Sequence, residues 1–285
     1  MNESSRHIIY NGEIFSASEP IIFHNNRAFC YGDGLSETMH AFGTEIQFAD
    51  LHFQRLYKGM KVLEMNIPDT VEQKKISREI TRLLNRDKLF NGSMIRLSVF
   101  RDSQGSYTPE RNDVSYVIEC NPLEFEKYLL NKVGLTIDIY ADIVKQVTLF
   151  SNFKTANALL NVLAGIYVNK YGLGDALILN EKKSIIESTH SNVFFVKDNW
   201  LYTPGLETGC IAGIMRHKIL QFGNLLNLKI EEKNYISEKN LLEADEVFFT
   251  NAIEGIRWVV AYKQRRYYNK FASRLNEKLN SEVFK

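Results

Sequence analysis

Apolar positions along the chain switch between a two-residue and a three-to-four-residue spacing, which predicts strands interleaved with helices. Residues 7–10 and 13–15, on either side of Asn11-Gly12, read as a hairpin with a primed turn. A second hairpin is expected from 39–42 and 46–48 around Gly43-Thr44. Over 51–65 the side chains Phe53, Leu56, Tyr57, Met60 and Leu63 fall on one side of a helix, and another helix covers 71–85. Strands follow at 94–100 and 114–119, joined by a long polar connection from Arg101 to Pro109 of the kind that reaches over a site. A new strand begins at 135–140. The buried stripe of the next helix is Ala156, Leu159, Leu160, Leu163, Ile166 and Tyr167, with Ser151 or Asn152 as its cap.

Beyond that helix the pattern becomes a meander of strands at 176–179, 185–188, 193–196 and 200–203. A glycine-bearing turn, 209–213, leads into a helix reaching about residue 226. A short helix at 238–244, strands at 247–250 and 258–262, and a closing helix at 268–283 complete the chain. No internal repeat is visible. The expected organisation is an N-terminal α+β domain over 1–121, a linker over 122–131 and an α/β C-terminal domain over 132–285.

Composition narrows the class only slightly. With 45% hydrophobic and 24% charged residues, the chain is an ordinary soluble mixture. A net charge of +1 gives no electrostatic case for nucleic acid, and no apolar run approaches membrane-spanning length. Residues 1–10 lack a signal-peptide core. Cys30, Cys120 and Cys210 are scattered and show no zinc spacing, which fits reduced thiols filling a core in a cytoplasmic protein without a bound metal.

Four features carry candidate chemistry. Lys154 stands just ahead of a core helix, where the helix dipole and apolar neighbours both disfavour its charge. That suits a neutral nucleophile of the Schiff-base kind, although a lysine in such a place is more often a solvated loop residue. Glu187 ends an apolar strand and is costly there if buried without a cation. Arg55 lies near the start of its helix, and its planar fork suits a phosphate. The turn before Gly213-Ile214-Met215 opens a helix N-terminus, an anion site by geometry. An amine for an aldehyde, an acid for a pyridine nitrogen, and a cation with a helix terminus for a phosphate together make a pyridoxal-phosphate inventory.

Their order along the chain resembles the class IV aminotransferases, the fold-type IV pyridoxal-phosphate enzymes. That family includes branched-chain and D-amino-acid transaminases and 4-amino-4-deoxychorismate lyase. The resemblance covers nearly the whole chain. It rests on Tyr31-Gly32-Asp33-Gly34 with Glu37, Leu51-His52 with Arg55-Leu56, and Lys154. It also rests on Glu187 through Asn192-Val193-Phe194, Tyr202-Thr203-Pro204 through Gly213-Ile214-Met215-Arg216, and Ala244-Asp245-Glu246-Val247-Phe248 through Asn251-Ala252. The resemblance implies a D-amino-acid aminotransferase-like fold with a C-terminal pseudobarrel, pyridoxal 5'-phosphate as cofactor, and a homodimer. It assigns the Schiff base to Lys154 and the pyridine nitrogen to Glu187, with Asn192 its companion. Phosphate contacts fall to Arg55, Gly213, Ile214, Met215 and Asn251.

Lys154 is followed at the third place by Asn157, as in the lyase and the D-amino-acid enzymes. Branched-chain transaminases usually carry a glycine pair and then a tyrosine, and Ala158 and Leu159 stand here instead. The Arg-x-His pair of D-amino-acid transaminases is not visible around 96–101. The resemblance is therefore nearest to 4-amino-4-deoxychorismate lyase, which forms p-aminobenzoate and pyruvate for folate synthesis. Tyr31, Arg101 and Tyr107 are expected to meet the amino substrate. The alternatives are a branched-chain or D-amino-acid transaminase and a non-catalytic homologue that binds a partner.

Overall fold

The expected first hairpin forms as β1 (His7–Tyr10) and β2 (Glu13–Ser16), with Tyr10 opposite Glu13. Its two turn residues sit at φ 48° and 90°, the left-handed region that a primed turn demands and that Asn and Gly tolerate. The structure is a computed structural model describing residues 6–226 and 228–284, so the expectation for residues 1–5 lies outside the described residues. The chain divides into two units, one running to Glu126 and including Phe153–Asn157, the other formed by Lys127–Asn152 and the chain from Ala158 onward.

In the first unit a short helix not expected from the apolar pattern, α1 (Arg27–Tyr31), follows the hairpin. Its ends were written in the sequence. The Asn26 side chain accepts from the Ala28 and Phe29 N–H groups, and Gly32 closes it at φ 67°. Next come β3 (Gly34–Phe42), β4 (Glu45–Ile46), α2 (Ala49–Val62), α3 (Gln73–Arg86), β5 (Ser93–Arg101) and β6 (Val114–Pro122). The strands form one antiparallel sheet in the order β2-β1-β6-β5-β3-β4. Alternation sends Leu35, Glu37, Met39 and Ala41 of β3 to the buried face. There Phe53, Leu56 and Met60 of α2 join Ile76, Ile80, Leu83 and Leu84 of α3 in one core. Helices on one side of an antiparallel sheet make this unit α+β. The buried stripe of α2 also contains His52 and Arg55, a costly choice that marks the site.

The second unit opens with β7 (Leu135–Lys145), then α4 (Leu159–Tyr171), β8 (Asp175–Asn180), β9 (Ile185–Ser188), β10 (Asn192–Lys197) and β11 (Trp200–Pro204). It continues with α5 (Ile214–Leu225), β12 (Lys229–Lys233), α6 (Glu238–Glu243), β13 (Glu246–Asn251), β14 (Gly255–Tyr262), β15 (Arg265–Arg266) and α7 (Lys270–Val283). Its nine-stranded sheet runs β12-β11-β10-β13-β14-β7-β8-β9, with β15 paired to β14. The pairs β11/β12, β14/β7 and β7/β8 are parallel and the rest antiparallel. Strand β12 was not expected: its sequence Lys-Ile-Glu-Glu-Lys is charged because it is a sheet edge, where charge blocks further pairing.

Helix α4 corrects two expectations. Its N-cap is Ala158, without a side-chain cap. Ser151 instead accepts from Thr148 N–H at 2.8 Å, and Asn152 donates to the Leu206 and Cys210 carbonyls. The buried side is Ala164 with Leu160, Leu163, Tyr167 and Val168, packed against Tyr140, Ala176, Ile178 and Ile186. Leu159 and Ile166, expected in the stripe, are 70% and 57% exposed. A helix apolar nearly all round carries too little contrast to set the phase of its buried face.

Candidate active site

Lys154 belongs to a five-residue stretch built onto β3. The Ser36 N–H donates to the Lys154 carbonyl at 2.8 Å, and the Ala156 N–H to the Gly34 carbonyl at 2.9 Å. Leu35 and Thr155 form an antiparallel bridge. Gly59 of α2 makes room for this stretch, since a Cβ there would lie 3.0 Å from Leu35 and 3.3 Å from Phe153. Asn157 fastens the far end by donating to the Gly32 carbonyl at 3.0 Å.

The Lys154 side chain is half-buried and donates from Nζ to Thr38 Oγ1 at 3.1 Å. Burial, with the nearby cations Arg55 and Arg96, outweighs Glu37 and lowers its pKa to about 8. The expected perturbation is present, and burial, one of its two expected causes, leads it; the dipole is not placed to contribute as expected, since α4 begins only at Leu159.

Arg55 is buried against Glu37. Its Nε and Nη2 donate to the two carboxylate oxygens at 2.8 and 2.6 Å, and His52 Nδ1 lies 2.6 Å from Glu37 Oε2. Burial opposes the carboxylate charge, but the Arg55 guanidinium and His52 overcome it and hold the pKa at about 2.

In the second unit Glu187 and the approach to α5 come together. Glu187 is buried at the end of β9, opposite Ile178 of β8. Lys145 Nζ meets its Oε1 at 2.6 Å, and the Ile211 N–H donates to its Oε2 at 2.8 Å. Asn192, the first residue of β10, donates to the Ile211 carbonyl at 2.8 Å. Its Oδ1 crowds Gly213, where a Cβ would fall 1.9 Å away. Gly213 is the N-cap of α5, which has no side-chain cap and no acidic residue in its first turn. The opening N–H groups at Ile214 and Met215 therefore point at anion chemistry.

Asn251 ends β13. Its Nδ2 donates to Ser191 Oγ and Glu254 Oε2, and its Oδ1 accepts from the Ile253 and Glu254 N–H groups. Thr250, opposite Asn192 in the ladder, buries a hydroxyl that has no hydrogen-bond partner among the described residues.

The residues expected to meet substrate also lie in the first unit. Tyr31 and Tyr107 form a ring pair with centroids 5.4 Å apart, and the Arg27 guanidinium lies over Tyr31. Arg101 is buried and donates to Asp33, Asn112 and the Leu63 and Glu64 carbonyls. These bonds tie β5 to the end of α2. Sequence reasoning passed over Thr38, Arg96 and Lys145. Thr38 and Arg96 face each other across the β3/β5 ladder, and strand register was the signal that could have found them. Lys145 has no local signal, because its role depends on a partner in a distant strand.

The amino-transferase class IV family matches residues 34–262. The chain therefore belongs to that family, and the expectation of an enzyme is met. An aminodeoxychorismate lyase of Vibrio harveyi is 26% identical over 81% of this chain and 83% of its own. A putative branched-chain-amino-acid aminotransferase of Methanocaldococcus jannaschii is 27% identical over 98% and 95%. Among solved structures, the branched-chain aminotransferase of Thermoproteus uzoniensis superposes with a TM-score of 0.88 at 21% identity, covering 98% of this chain and 95% of that one. The expected aminotransferase fold is thus the observed one.

Proposed function

We propose that the chain is a pyridoxal 5'-phosphate enzyme acting as 4-amino-4-deoxychorismate lyase, releasing pyruvate and leaving p-aminobenzoate for folate synthesis. The carrying observation is the Lys154 Nζ to Thr38 Oγ1 hydrogen bond of 3.1 Å. Transamination asks one amine to move a proton between two carbons. Loss of a three-carbon fragment also benefits from a second group that can hand a proton onward, and a hydroxyl touching the amine supplies it.

The residues fit the cofactor. An amine with its pKa lowered to about 8 is a competent nucleophile. Gly213 leaves room for hydrogen alone beside an uncapped helix N-terminus, and the buried Thr250 hydroxyl lacks a partner among the described residues. When bound, pyridoxal phosphate supplies an aldehyde and an electron-withdrawing ring. Lys154 provides the amine for that aldehyde, and as a free amine it takes the proton from the carbon bearing the substrate nitrogen. Glu187, held by Lys145 and the Ile211 N–H, presents a carboxylate to the pyridine nitrogen, beside its companion Asn192. The N–H groups at Ile214 and Met215 serve the phosphate, with Arg55 and Asn251, while Gly213, whose own N–H goes to the Ile211 carbonyl at 2.9 Å, lets the backbone come close. Arg96, exposed beside Thr38 and paired with Glu119, has the chemistry for a substrate carboxylate. Tyr31 and Tyr107 offer an aromatic surface for the substrate. Arg101 is better explained as the tie between β5 and α2.

A branched-chain or D-amino-acid transaminase is the second reading, favoured by the match to the Methanocaldococcus relative over 98% of this chain. Purified protein is given aminodeoxychorismate with no keto acid. Pyruvate release supports the lyase, whereas turnover that depends on a keto-acid acceptor overturns it. Colourless protein that takes up no cofactor would support the non-catalytic alternative. The partner is a second copy of the chain, supported by the exposed apolar row Leu159, Val162 and Ile166 on α4. A reducing cytoplasm suits the three free cysteines. No helix among the described residues is long and apolar enough to cross a membrane.

A further inference from the structure

The first unit buries an ion pair that its core does not need. Glu37 points from β3 into the apolar face shared with α2, and its side chain and those of Arg55 and His52 are 3%, 8% and 1% exposed. Replacing a buried ion pair with apolar side chains of similar volume is often neutral or stabilising, so the pair calls for a reason beyond stability. Its geometry supplies one. Two parallel bonds from Arg55 fix the guanidinium plane, and His52 holds the shared oxygen from a third direction. Burial pulls the His52 pKa down, against the opposing pull of Glu37. The residue after Glu37 is Thr38, whose hydroxyl receives the Lys154 amine.

We propose that Glu37 is a positioning residue that sets the charge state of Lys154 by fixing, and partly neutralising, the Arg55 guanidinium, with His52 locking the carboxylate in place. This rests on Lys154 being the reacting amine. The charged and titratable groups acting on that amine are Arg55 and His52 from α2, Glu37 from β3 and Arg96 from β5. Arg55 and Arg96 favour the neutral amine, and Glu37 opposes them. Without Glu37, the amine would face an uncompensated guanidinium. Without Arg55, it would face a bare carboxylate and hold its proton. The pair therefore places the amine between these extremes, where it can both attack as a base and carry a proton.

The test follows labelling of Lys154 by an amine-arylating reagent against pH, read by peptide mass spectrometry on the full chain without cofactor. The wild-type midpoint is expected at about 8. Glu37→Gln should lower the midpoint and Arg55→Gln should raise it, each by about one pH unit. The double variant, which removes both charges, should return close to wild type. Opposite signs are the signature, since mere loosening would expose the amine and raise the midpoint in both single variants. Both midpoints rising, or neither moving, overturns the proposal. If Glu37→Gln does not fold, Arg55→Gln is compared with the double variant. A lower midpoint in the double supports the role, and equal midpoints overturn it. Failure of the wild-type chain to bind pyridoxal phosphate would sink the proposed function instead, and the labelling titration would still decide the role of Glu37.

Discussion

A lysine with its pKa lowered to about 8 already has an appreciable neutral fraction at pH 7, which is the state that attacks an aldehyde. Burial and two arginines produce that state here. The rate of cofactor capture by the apoprotein should therefore climb with pH up to about 8 and then level off, as stopped-flow absorbance would show. An amine with an ordinary lysine pKa would keep climbing well beyond that point. Lys154→Ala should abolish the covalent absorbance band. Glu187 presents a different case, because its proposed role is electronic while its surroundings are structural. Glu187→Gln should cut turnover by about a hundredfold or more, in the range for removing an electrostatic group at a reacting centre. The fold should persist with a lowered melting temperature, since an amide can still accept from the Ile211 N–H but leaves Lys145 without its carboxylate. Normal turnover by that variant would remove the role.

Two helices carry the consequences at the scale of elements. The phosphate site proposed at the N-terminus of α5 needs the backbone to come close, and Gly213 against Asn192 Oδ1 would permit it. Gly213→Ala needs the Asn192 side chain to move. It should weaken pyridoxal phosphate binding about tenfold or more, while affinity for phosphate-free pyridoxal changes less. Equal losses for the two ligands would count against a phosphate role for this turn. Helix α4 buries Ala164 and its neighbours but exposes Leu159, Val162 and Ile166. Three exposed apolar residues at helical spacing suit contact with a second copy. In light scattering, the proposed dimer should give way to a monomer when Leu159 and Ile166 are changed to Glu. An unchanged mass would move the interface elsewhere.

At the scale of the whole molecule, two site residues make stability rise with pH in two separate windows. Glu37 has its pKa depressed from 4.5 to about 2, so the unfolded chain binds the proton more readily between those values. Its stabilisation is present in full above pH 4.5 and fades as pH falls through about 2. Lys154 has its pKa depressed from 10.5 to about 8, so its protonation opposes folding below about 8, and this penalty is relieved as pH rises toward 10.5. Breaking a buried pair costs about 3–5 kcal/mol. Glu37→Gln should accordingly lower the melting temperature at neutral pH, with the gap to wild type shrinking at the acid end. A constant gap across pH would show that the carboxylate charge is not what stabilises.

The local signals for these elements were already in the chain. Asn11-Gly12 specified its hairpin, alternation specified β3, β5 and β6, and the Lys154, Glu187 and Gly213 motifs pointed to the family now shown. What a side chain does with its neighbours was not legible. Local pattern says that Arg55 is on a helix, but only the packed β3/α2 face shows its fork given to Glu37. Lys145 meets Glu187 across 42 residues of sequence, and Thr38 meets Lys154 across 116. The uniform hydrophobicity of α4 likewise left its buried side to be decided by the sheet it packs on. The sequence by itself determined the elements, the turns and the family, because periodicity, capping and turn chemistry act over a few residues. Charge states and hydrogen-bond partners at the site were decided by the tertiary structure alone, because burial and electrostatic coupling depend on distances that only folding creates.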